Sequence, residues 1–190
     1  METSTTSTMK AHLSLEEILN AVTHGVGAAL AVAALIGMLV YYAGGGVWHT
    51  TSCIIYGISL ILLYLASTLY HSFTNEHLKA IFKFGDHASI YVLITGNYTP
   101  FALIPLHGSL GWTIFGIVWG LAALGIVFQI FFVKRFRVLG TLCYLGMGWC
   151  VALAAAPVLK TIPVAGLIWL LAGGIAHTVR AVLAALGWTT

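Results

Sequence analysis

Ionisable side chains are expensive inside hydrocarbon, so those set within apolar stretches are the first candidates for function. Few residues of this chain qualify. Glu16, Glu17, Asn20 and His24 lie at the start of the first apolar block, Ser67 and His71 at the end of the second, and Asp86 and His87 at the start of the third. Glu17, Asn20 and His24 follow at helical spacing and share one face, as do Ser67 and His71 on the next helix. Asp86 is the one carboxylate in the interior of a predicted span. A carboxylate with imidazoles and a hydroxyl at modest depth is the material of a zinc site or a proton-handling site. Zinc is the preferred reading, because a His ligand usually has a carboxylate or hydroxyl behind it. The competing account places each residue singly at the membrane interface, satisfied by water and headgroups. Three helices contributing polar groups together weigh against it.

The elements that must position these residues are membrane-spanning helices. The chain is 60% hydrophobic and only 7% charged, with a mean hydropathy of +1.00. A soluble domain carries about a quarter charged residues. The apolar residues run in long blocks that lipid, not a soluble core, must bury. A helix needs about 20 residues to cross roughly 30 Å of hydrocarbon. Six blocks meet that length, over 18–43, 48–71, 80–104, 110–132, 138–157 and 161–187. Breaks fall at Gly44 to Gly46, Ser72 to Lys79, Pro105 to Gly108, Lys134 to Arg137, and Pro157 to Pro163. The fold class is therefore an all-α integral membrane protein, a bundle of about six transmembrane helices. A polar Ser/Thr-rich tail over 1–15 precedes a multi-pass domain over 16–190. The short alternating segments of a membrane barrel are not seen.

Lys10, the pair Lys79 and Lys83, and the group Lys134, Arg135 and Arg137 all fall on one side of that topology. Positive residues are retained in the cytoplasm, so the N-terminus is predicted cytoplasmic, with Arg180 snorkelling to the same side. The basic residues lie between apolar blocks, which argues against nucleic acid as a partner and for membrane lipids. Cys53, Cys143 and Cys150 sit within apolar blocks and read as small hydrophobes. Gly25, Gly27, Ala28 and Ala29, and likewise Gly116, Gly120 and Gly125, read as close helix contacts.

The segments Asn20 to Gly25, Ser67 to Ser72, Asp86 to Tyr91, Asn97 to Pro100 and Tyr144 to Trp149 resemble the successive motifs of the hemolysin III family, within the progestin and adipoQ receptor superfamily. The resemblance runs in order along nearly the whole chain. It implies a seven-helix plasma-membrane protein with a zinc ion near the cytoplasmic face. It implies His71 as the first zinc ligand, with Ser67 and Asp86 orienting a zinc-bound water in catalysis. The other two ligands come from an H-x-x-x-H motif in the family's last helix, which this sequence does not contain. The fold expected is thus the family bundle truncated after helix six, with a possible homo-oligomer covering the exposed site. His177 and His24 stand as possible additional ligands, the simpler reading of His177 being a packed polar residue. The functions implied are a zinc-dependent lipid amide or ester hydrolase, a non-enzymatic regulator of membrane lipid state, or a cytolytic protein. No continuous polar stripe supports the last.

Overall fold

The computed structural model describes residues 13–132 and 137–185. These form α1 (Leu15–Tyr41), α2 (Gly46–Ser72), α3 (Glu76–Leu103), α4 (Ser109–Phe132), α5 (Arg137–Gly148), a 3₁₀ turn (Trp149–Ala154), α6 (Ala155–Thr161) and α7 (Val164–Ala185). No strand occurs among the described residues. α1, α2, α4 and α7 are each long and apolar enough to cross a membrane. α3 is as long but carries Glu76, Lys79, Lys83 and Asp86 in its first half. The chain is an all-α membrane bundle. Its outward residues are apolar, as lipid demands: Leu30, Leu124, Phe131, Val164 and Trp169 are all exposed. Lys10, Lys134 and Arg135 lie outside the described residues, as do the side chains of Arg137 and Arg180.

Local sequence accounts for the helix starts. Ser14 caps α1, its hydroxyl accepting from the Glu17 amide at 3.2 Å. Ser14 and Glu17 have the spacing of a capping box, with Glu16 and Glu17 favourably placed at the positive helix end. Asn75 caps α3, accepting from the amides of His77 and Leu78 at 3.0 and 3.2 Å. This cap starts α3 at Glu76, ahead of the predicted span, so most of the expected second loop is helix. Gly46 opens α2 with φ +82°, a conformation that strains any residue with a Cβ.

Consecutive helices pack as antiparallel neighbours from α1 to α4, and α5 rests against α3, α4 and α7. α3 is the central element. Its buried face includes Ser89, Tyr91, Ile94, Thr95, Gly96, Tyr98 and Thr99. With Val118 and Ala122 of α4 and Met147 of α5, Tyr91, Ile94 and Tyr98 form the main apolar core. Close approach is made at glycines. A Cβ on Gly27 would lie 2.7 Å from the Tyr64 ring, and one on Gly125 2.3 Å from the Tyr91 ring. A Cβ on Gly96 would lie 2.1 Å from the Ser59 hydroxyl. Gly116 and Gly120, expected to pack alike, have no described neighbour within 4 Å of that position. Of the three α4 glycines expected to pack this way, Gly125 alone does so.

The fifth predicted span, over 138–157, is not one plain helix. Pro157, expected as a break, falls in the first turn of α6, where a missing N–H costs nothing. The interruption lies earlier, at the 3₁₀ turn that follows the helix-weakening Gly146 and Gly148. Changing the winding orphans backbone groups, and Tyr98 of α3 supplies their partners. Its hydroxyl donates to the Gly148 carbonyl at 2.8 Å and accepts from the Val151 N–H at 2.7 Å. Trp149 Nε1 donates to Thr178 Oγ1 at 3.1 Å, tying the same turn to α7. Tyr98→Phe leaves both backbone groups unpaired. It is expected to cost about 1–3 kcal/mol in reversible micellar unfolding and to speed exchange of the Val151 amide.

Candidate functional site

The start of α1, the end of α2 and the start of α3 meet at one end of the bundle. Ser67 is buried one turn before His71, and its Oγ lies 2.6 Å from Nδ1 of His24 on α1. Nδ1 of His71 lies 2.5 Å from Oε2 of Glu17, and the other carboxylate oxygen of Glu17 accepts from the Lys79 ammonium. A single carboxylate thus joins α1 to both α2 and α3. The His24 and His71 rings meet edge to face with centroids 5.9 Å apart. The linked side chains are partly exposed, 14% for His71, 23% for Glu17 and 31% for Lys79.

With Nδ1 donating to a carboxylate, His71 keeps a lone pair on Nε2, which makes no hydrogen bond among the described residues. A carboxylate behind a histidine in this way fixes the ring and raises its basicity. His24 and Ser67 form a second pair, in which the hydroxyl is held against an imidazole nitrogen. The two pairs together are suited to holding a polar headgroup or a proton at a fixed depth.

The other predicted residues are placed differently. Asp86 does not join His71 and Ser67. Its described ion pair is with His87, at 3.9 Å, while His87 Nδ1 lies 2.7 Å from the Lys83 carbonyl. His177 Nε2 lies 3.3 Å from the Tyr144 carbonyl, and its ring packs where a Cβ on Gly148 would sit. Tyr144 in turn donates to the His87 carbonyl at 3.2 Å, so α5 links α7 to the start of α3. Among the described residues no three His, Cys, Asp or Glu side chains converge to hold a metal ion. A complete zinc set therefore does not fit these residues alone.

Lys79 is the site residue that sequence reasoning misses, since it reads as a loop charge that marks sidedness. Glu17 is a candidate from spacing, but as a neighbour of His24 on its own helix and not as the partner of His71. The available signal is a carboxylate left at the membrane edge with a lysine just across the next hairpin.

The sequence matches the Haemolysin-III related family over residues 13–188. The chain belongs to that family. It is 50% identical to the hemolysin-3 homolog of Bacillus subtilis (strain 168) over 165 residues, 86% of this chain and 78% of that protein. It is 47% identical to hemolysin-3 of Bacillus cereus over 171 residues, 88% and 77% of the two chains. The human monocyte to macrophage differentiation factor is 29% identical over 156 residues, 77% of this chain and 63% of that protein. No solved structure matches. The chain is thus a multi-pass membrane protein of the haemolysin-III related family.

A double-mutant cycle on Glu17→Ala and Lys79→Ala is expected to give a coupling of about 0.5–1 kcal/mol in micellar unfolding, shrinking as salt is raised. Zero coupling at low salt would dissolve the link between α1 and α3.

Proposed function

We propose that this haemolysin-III related protein senses or acts on membrane lipids at the cytoplasmic end of its bundle, with His71 as the first ligand of a zinc ion. The observation that carries the reading is the Glu17–His71 pair, which orients the ring and leaves Nε2 available. The remaining ligands lie outside the described set, supplied by another segment or by a second copy in a homo-oligomer. Zinc at such a place would supply Lewis-acid chemistry toward a lipid amide or ester. This chain's own residues position: Ser67 is held by His24, and Asp86 stands on the neighbouring helix. The plasma membrane and a cytoplasmic N-terminus belong to the same proposal. Lys79 and Lys83, at the end where α1 begins, support that orientation.

Elemental analysis of the detergent-purified protein tests the metal. About one zinc per chain is expected in the wild type and none in His71→Ala, with zinc affinity lowered roughly 10–100-fold in Glu17→Gln. No zinc in the wild type removes the hydrolase reading and leaves a second one. In that reading the Glu17 carboxylate is a staple across three helices, and the protein is a non-enzymatic regulator of lipid state. The bridge itself favours this alternative, since it is complete without metal. The name of the Bacillus cereus relative raises cytolysis as a third reading. Dye release from vesicles by the purified protein decides it.

A further inference from the structure

Beside the Glu17 bridge lies a second feature, a tyrosine ring close to two lysines. The Lys79 ammonium is 5.4 Å and the Lys83 ammonium 5.9 Å from the centre of the Tyr70 ring, so two cations lie near one aromatic ring. Their electrostatic positions are unequal. Lys79 is neutralised by Glu17, whereas the exposed Lys83 has no carboxylate within ion-pair distance among the described residues. Asp86, one turn on from Lys83, is directed to His87 instead. The Tyr70 hydroxyl makes no hydrogen bond among the described residues and remains a donor.

The surroundings of this pair are mixed: the Glu17 and Asp86 carboxylates are near enough to act on the Tyr70 phenol, and apolar rings lie beside them. Phe73, just past α2, stacks on Phe82 of α3 with centroids 5.1 Å apart and planes 8° apart, closing the hairpin. Leu78, Ile81 and Phe84 are 37%, 52% and 38% exposed on the same turns of α3, with Ile81 on the face opposite Lys83. Lysines among outward apolar side chains at a helix end present a charged head at the level of lipid phosphates and an oily surface below it.

We propose that Lys83, with Tyr70 beside it, binds the phosphate of an anionic phospholipid. The inference goes beyond the metal reading and stands without it.

The test uses the full chain in neutral detergent, titrated with short-chain phosphatidylglycerol and, in parallel, with short-chain phosphatidylcholine and with inorganic phosphate. Bound lipid is counted by native mass spectrometry. Phosphatidylglycerol is expected to bind more tightly than phosphatidylcholine. Lys83→Gln is expected to weaken it about fivefold, the effect of one basic residue at an anionic surface, and Lys83→Arg to restore it. Lys160→Gln, an exposed lysine near the opposite end of the bundle, should leave binding unchanged. Equal affinity for the two lipids, or equal loss in Lys83→Gln and Lys160→Gln, overturns the site. Inorganic phosphate that displaces the lipid at comparable concentration would show that the free anion, not the lipid, is the ligand. Loss of phosphatidylglycerol binding with zinc content unchanged would separate this site from the metal.

Discussion

Lipid offers no hydrogen bonds, so every polar backbone group within the bundle must find its partner inside the protein. Straight helices meet this demand by themselves, and most of this chain is straight helix. The demand becomes specific where the helix changes. At the 3₁₀ turn after α5, the groups released by the altered winding are taken up by one phenol, that of Tyr98. The core around Tyr98 is arranged accordingly, with the residue buried on α3 and α5 lying against it. Thr68, Thr99 and Thr178 satisfy their hydroxyls at home by donating to the carbonyl one turn back, whereas the buried Ser52 hydroxyl has no partner among the described residues.

The same economy explains the polar end. A carboxylate, two imidazoles, an ammonium and a hydroxyl gather within three helix ends, and each is paired with another member of the group. None needs a water shell of its own, which allows the group to sit at the membrane boundary without opening the bundle. What the pairing leaves over is informative. Among the described residues, Nε2 of His71 and the ammonium of Lys83 are left over from adjacent parts of one cluster, one suited to a cation and the other to an anion.

The helical fold was legible because each apolar block is long, and the breaks carry Gly, Pro and Asn. The edges were less so. Asn75 reads as loop punctuation, yet as a cap it pulls the start of α3 back to Glu76. Pro157 reads as a breaker, yet in the first turn of a helix it breaks nothing. The true interruption at Trp149 has no proline at all; two glycines precede it, and the groups it releases find their partner on another helix, far back in the chain. In the site, spacing brought out His24, Ser67 and His71, since helical periodicity sets which residues share a face. It did not join Glu17 to Lys79, because pairing across helices depends on rotation and depth. Asp86 shows the converse: it stands at the right depth on the right helix, turned toward His87.

The glycines at the helix contacts carry a mechanical consequence. Gly27, Gly57, Gly96 and Gly125 each receive a side chain from the neighbouring helix, like teeth in notches spaced along the bundle from α1 to α4. Sliding one helix along another would unseat them together. The charged end near Glu17 and the aromatic end, where Trp48 meets His107 and Trp112, are therefore held a set length apart. One end is anchored by charge and the other by indoles, and the bundle acts as a gauge of fixed span. In a bilayer of another thickness it is the lipid, or the tilt of the whole block, that must give way.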